Sequence, residues 1–90
     1  MIFLEKYIPL FPLEEMSLKQ KDAIRLLNTV EKQGSIISPK GEEMLNYENR
    51  FWRAFKYIKN AILQGVQINV INKRFVVNMS DGDYILKGAA

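Results

Sequence analysis

The chain has 90 residues, 13 Lys/Arg against 10 Asp/Glu for a formal net charge of +3, and 48% hydrophobic positions, which is the balance of one ordinary globular domain and not of a disordered chain. It contains neither cysteine nor histidine, which excludes disulfides, thiolate or imidazole metal sites and the commonest general base. With no run of about 20 apolar residues and no recognisable targeting segment, the expectation is a cytoplasmic protein with no membrane partner.

Residues 1–16 read as an apolar N-terminal arm interrupted by Pro9 and Pro12. So many large apolar side chains are expected to dock on the domain, with exchange between the protomers of a homodimer as the alternative. The helical part is expected over 17–65. Ser17 with Gln20 three residues later has the capping-box pattern, and Ala23, Leu26, Leu27 and Val30 follow at helical spacing up to Gly34, which predicts a helix over 18–33. Ile36 and Ile37 lead into Ser38-Pro39, a cap and first-turn proline, which starts the next helical stretch. That stretch reads either as a short helix near 39–46, a turn, and a longer helix near 49–64, or as one helix of about 39 Å.

After Gly65 the period changes to two. Ile68 and Val70, then Phe75, Val77 and Met79, then Tyr84-Ile85-Leu86 predict a three-stranded antiparallel β-meander over 66–87, with tight connections at Asn72-Lys73 and Ser80-Asp81-Gly82-Asp83. Lys87-Gly88-Ala89-Ala90 reads as a frayed end. The fold class is therefore α+β in a single domain spanning 1–90.

The charge is unevenly placed. Residues 1–45 carry six Lys/Arg against seven Asp/Glu, residues 46–90 carry seven against three, and no acidic residue lies between Asn49 and Ser80. On a helical wheel of 50–64, Phe51, Phe55, Ile58 and Ile62 form a core stripe flanked by Ala54 and Ala61. Arg53, Lys56, Asn60 and Gln64 lie opposite, with Arg50 and Tyr57 on one flank. Arginine and lysine suit guanine edges and phosphates, and asparagine and glutamine suit adenine. Trp52 and Leu63 sit together about 100° from the core stripe, beside Lys56 and Lys59. They read either as covered by the arm, through Phe3 or Leu10, or as a protein-contact patch.

The order of helix, short helix at Ser38, turn at Tyr47-Glu48-Asn49, basic helix and β-hairpin resembles winged helix-turn-helix DNA-binding domains over roughly 17–87. The resemblance implies that Arg53, Lys56, Asn60 and Gln64 read bases of double-stranded DNA. It also implies that Arg50, Lys59, Lys73 and Arg74 hold phosphates, the last two from the wing. No glycine-rich phosphate loop is present, and Asp81 and Asp83 lack the further oxygens of a calcium loop, so they read as turn residues. The expectation is a small non-enzymatic DNA-binding regulator without metal or cofactor. The alternative is an adaptor or inhibitor that offers the basic and aromatic helix to an acidic protein partner.

Overall fold

The computed structural model describes residues 16–88. The expected arm, including Phe3 and Leu10, lies outside the described residues but for Met16. Two helices form where the apolar spacing is helical. Helix α1, Gln20–Gln33, buries Ala23, Leu27 and Val30 on one face. Helix α2, Asn49–Leu63, buries Phe51, Phe55, Ile58 and Ile62, the stripe expected from its sequence. Burial of each such large apolar side chain contributes about 1.5–3 kcal/mol, so α2 is the main apolar contribution to the core from the helical layer.

The capping box expected at the start of α1 is not formed. Lys19 is the N-cap and makes no side-chain cap. Ser17 instead lies in strand β1, Met16–Ser17, and its hydroxyl donates to Asn69 Oδ1 at 2.7 Å. Gln20 donates its side-chain amide to the Ile62 carbonyl at 3.3 Å, which ties the start of α1 to the end of α2. Cross-strand and interhelical partners thus outcompete the local cap.

Strands β2, Ser35–Ile37, β3, Glu43–Leu45, β4, Ile68–Ile71, β5, Arg74–Met79, and β6, Gly82–Lys87, complete a six-stranded sheet of order β1-β4-β5-β6-β2-β3. Every pairing is antiparallel. The expected meander is β4-β5-β6, but it is half of the sheet and not the whole of it. Asn72 and Lys73 join β4 to β5 with φ of 50° and 62°, the left-handed pair that a tight hairpin requires. Lys87, expected at a frayed end, is paired with Ser35.

The predicted short helix at 39–46 does not exist, nor does the continuous helix 39–64. Residues 38–42 are a hairpin loop between β2 and β3. The Ser38 N–H donates to the Glu42 carbonyl at 2.9 Å, the Glu42 N–H donates to Ser38 Oγ at 3.2 Å, and Gly41 takes a φ of 87°. Ser38 does cap a backbone N–H, but inside a loop. The chain turns at Asn46-Tyr47-Glu48, one residue earlier than the expected Tyr47-Glu48-Asn49, and Asn49 already begins α2.

Residues in register share a face because side chains alternate along a strand. Met44, Ile36, Leu86, Phe75 and Val70 form one row across the sheet, and all of them but Val70 join Ile68, Val77 and Tyr84 in a single core with both helices. The neighbouring row, Ser17, Asn69, Val76, Ile85, Ile37 and Glu43, faces away from the helices. Among the described residues no helix or strand packs on that second face.

Gly34 is where α1 gives way to β2. Its N–H bonds the Val30 carbonyl at 2.9 Å, and its backbone is extended, not left-handed. Glycine is required by close approach: a Cβ there collides with the Lys87 carbonyl and comes within 2.6 Å of Val30 Cα. Gly34→Ala is therefore expected to cost at least about 2 kcal/mol in chemical denaturation, because backbone must move. Gly41→Ala, with open space but a left-handed φ, is expected to cost about 1 kcal/mol. Equal losses at both positions speak against the close approach.

Candidate nucleic-acid interface

With Phe51, Phe55, Ile58 and Ile62 inward, α2 turns Arg53, Lys56, Lys59, Asn60 and Gln64 to solvent. Among the described residues, no carboxylate lies within 4.0 Å of Arg53, Lys56 or Lys59. The structure therefore brings together five of the eight nucleic-acid-binding residues expected from sequence. Lys56, Asn60, Arg53 and Gln64 lie side by side on one exposed, cationic and amide-bearing strip, and Lys59 follows beyond Trp52 and Leu63.

Arg50 stands apart. Its guanidinium meets Glu48 Oε1 at 3.2 Å and Glu42 Oε2 at 3.4 Å. Glu42 arrives from the β2–β3 loop, so the acid-free stretch in the sequence is not acid-free in space. The other carboxylate oxygen of Glu48, Oε2, accepts the Leu45 N–H at 2.7 Å. That backbone donor, with Arg50 as a smaller contributor, holds the Glu48 carboxyl below its ordinary value. Asn46 donates to the Glu31 and Lys32 carbonyls at 3.3 and 2.9 Å, which fastens the same turn to the end of α1.

On the other flank of α2, Tyr57 donates its hydroxyl to Asp81 Oδ1 at 3.1 Å and lies 3.2 Å from the Ser80 hydroxyl. Tyr84 donates to Asp81 Oδ2 at 2.7 Å, and the two tyrosine rings meet edge to face with centroids 6.0 Å apart. Asp81 thus joins the β5–β6 turn to α2, a role that its place in a turn does not signal. Arg53 and Asp81 both line a shallow cleft with Tyr57 and Tyr84. The Tyr84 hydrogen bond is the main cause that lowers the Asp81 carboxyl, and burial with Asp81 as acceptor pushes Tyr84 up to about 12.

Lys73 and Arg74 do not join the α2 strip. Arg74 precedes the core-facing Phe75 in β5 and so projects from the opposite side of the sheet, where it shares a groove with Lys73 and Lys87. Lys87 is held there by Glu43 at 3.4 Å, and Glu43 accepts the buried Ser35 hydroxyl at 2.6 Å. Lys73 and Arg74 were expected as a pair, but the Lys87–Glu43–Ser35 contacts beside them arise only through the pairing of β2 with β3 and β6 and have no signal in the sequence. Trp52 is 37% exposed and Leu63 is 57% exposed. The Trp52 ring lies edge to face with Phe51 and Phe55, at 5.0 and 5.8 Å, so it belongs partly to the core.

Among the described residues there is no group of three His, Cys, Asp or Glu placed to hold a metal, and no helix long and apolar enough to cross a membrane. No family model, curated protein or solved structure matches the chain.

The Tyr57–Asp81–Tyr84 cluster makes stability depend on pH at both ends. Asp81 is lowered in the fold, so its contribution is present above the unfolded carboxyl pKa and is lost as pH falls through the folded one. Tyr84 is raised, so its contribution is complete below about 10 and is lost as pH rises from about 10 to about 12. Denaturation measured against pH is expected to show both declines. Tyr84→Phe is expected to flatten the alkaline one, and an unchanged alkaline slope in that variant refutes the assignment.

Proposed function

We propose that the protein is a non-enzymatic binding module that lays the outer face of α2 against an anionic surface, with double-stranded DNA as the partner. The observation that carries this reading is the strip of Arg53, Lys56, Lys59, Asn60 and Gln64, exposed together with no carboxylate within salt-bridge distance of its cations among the described residues. Three cations supply the phosphate attraction, and the two amides with Arg53 supply donors and acceptors suited to base edges. Residues 53 to 64 span about 17 Å along the helix, or about five base-pair steps.

The helix-turn-helix motif gives this proposal no support. The element ahead of α2 is the β2–β3 hairpin, so α2 is offered by a sheet instead of by a companion helix. A wing gives it none either, since Arg74 projects on the far side of the sheet. Arg50 also drops out as a phosphate contact, because Glu42 and Glu48 already satisfy it.

Fluorescence anisotropy with a labelled duplex tests this. Three released counterions predict a log–log salt slope of about −3, and Lys56→Glu is expected to lower affinity by about tenfold or more at low salt. Arg50→Ala is expected to change affinity little. Absence of duplex binding at low salt overturns the proposal, and so does equal weakening by Arg50→Ala and Lys56→Glu.

A second reading is favoured by one observation: half-exposed Trp52 and Leu63 border Lys56 and Lys59 on the same helix. A tryptophan beside cations suits an acidic protein surface. Under this reading Trp52→Ala abolishes capture of a protein partner while duplex DNA is not retained by the unmutated chain. Under the DNA reading, Trp52→Ala is expected to weaken duplex binding less than Lys56→Glu does, since the Trp52 ring borders Lys56 and Lys59 but carries no charge.

A further inference from the structure

The sheet face turned away from the helices carries an apolar row with a cationic end. Val76, Ile85 and Ile37 are in register across β5, β6 and β2 and are only half-buried. Beside them Lys73, Arg74 and Lys87, the last paired with Glu43 at 3.4 Å, line a groove of about 730 Å³ whose floor includes Ile37 and Ile85. An apolar floor is wrong for a phosphate backbone, and a cationic rim is wrong for a purely greasy partner. The surface fits a segment that is apolar along its length and acidic at one end.

Residues 1–15 have that character. They contain Ile2, Phe3, Leu4, Tyr7, Ile8, Leu10, Phe11 and Leu13, with Glu5, Glu14 and Glu15 against a single Lys6. Their point of attachment is also suited. Met16 pairs antiparallel with Val70 and Ser17 with Asn69, so the chain enters β1 from the end of β4 where Asn72, Lys73 and Arg74 turn. Glu14 and Glu15 immediately precede that entry. Fifteen residues reach up to about 50 Å when extended, while the row from β4 to β2 crosses three strand spacings, about 14 Å.

We infer that residues 1–15 of the same chain dock on this face, their apolar side chains over Val76, Ile85 and Ile37 and their acidic end against Arg74 and its neighbours. The sequence alone directs the same segment to the flank of α2, over Trp52 and Leu63. The geometry points instead to the sheet face, because that is where the chain enters and where the charges are complementary. Docking there leaves the outer face of α2 uncovered, so this inference stands whether or not α2 binds DNA.

The chain contains no cysteine, so one introduced thiol carries a spin label at a unique place. Lys6→Cys, labelled in the full-length chain, tests the inference by paramagnetic broadening, with the chemically reduced label as reference. Val76, Ile85 and Ile37 signals are expected to lose most of their intensity, while Trp52 and Leu63 keep theirs. Adding Glu14→Lys with Glu15→Lys is expected to restore part of the lost intensity. Broadening centred on Trp52 and Leu63 overturns the inference, as does broadening of neither set. So does broadening that appears only between labelled and isotopically marked chains mixed together, because it assigns the face to a second copy.

Discussion

The burial of Phe51, Phe55, Ile58 and Ile62 against the sheet is the constraint from which the rest follows. These four side chains lie on one narrow stripe of α2, and each is at most 4% exposed. Rotating the helix by even one residue's worth of angle, about 100°, exchanges Phe51 and Phe55 for Trp52 and Lys56, or for Arg50 and Ala54, so the rotation is fixed by an apolar penalty of several kcal/mol. Once the inner stripe is set, the outward position of Arg53, Lys56, Asn60 and Gln64 is not a separate choice. The flanks then refine the placement: the Tyr57 hydroxyl is held by Asp81 on one side, and the Trp52 ring leans on Phe51 and Phe55 on the other.

What was legible in the sequence depended on how many turns or pleats each element could display. Helices α1 and α2 have about four turns each, enough for period to identify them and their buried faces. Strands β4, β5 and β6 repeat at a period of two and are separated by residues that accept turn geometry. Strands β2 and β3 are three residues each, too short to show a period, and Ser38-Pro39 carries the same signature at a hairpin loop as at a helix start. The signal against a helix was Gly41, whose φ of 87° closes the loop. Strand β1 has two residues and was hidden in the same way, with Ser17 taking the pattern of a cap.

The candidate site was legible only in part, for a reason that is three-dimensional. A charge window along the chain counts neighbours in sequence, whereas screening and pairing act over a few ångströms in space. Glu42, eight residues before Arg50, is brought back by the β2–β3 hairpin to pair with it, and Asp81 returns from the far end of the meander to Tyr57. Conversely, Arg74 is adjacent in sequence to a core residue and so lies on the other face of the sheet. The run of six cations without an acid therefore resolves into two separate surfaces and one internally paired arginine.

The position of α1 beside α2 limits how the proposed strip meets a duplex. The two helices touch on the same side of the sheet, and packed helices lie about 8–10 Å apart. A major groove about 12 Å wide admits one of them. If α2 occupies the groove, α1 faces the flanking backbone, where its exposed charged side chains are Lys21, Arg25 and Lys32 along with Glu31. Arg25 is already near Asp22 at 3.9 Å, with both side chains largely open to solvent, a pair of little energetic consequence. Phosphates compete effectively with such a pair, so Arg25 remains available to the backbone in a way that Arg50, held by two carboxylates, does not. On the proposed reading the helical layer is a graded surface, with α2 for the groove contacts and α1 as a weaker phosphate rail whose mixed charge limits its contribution.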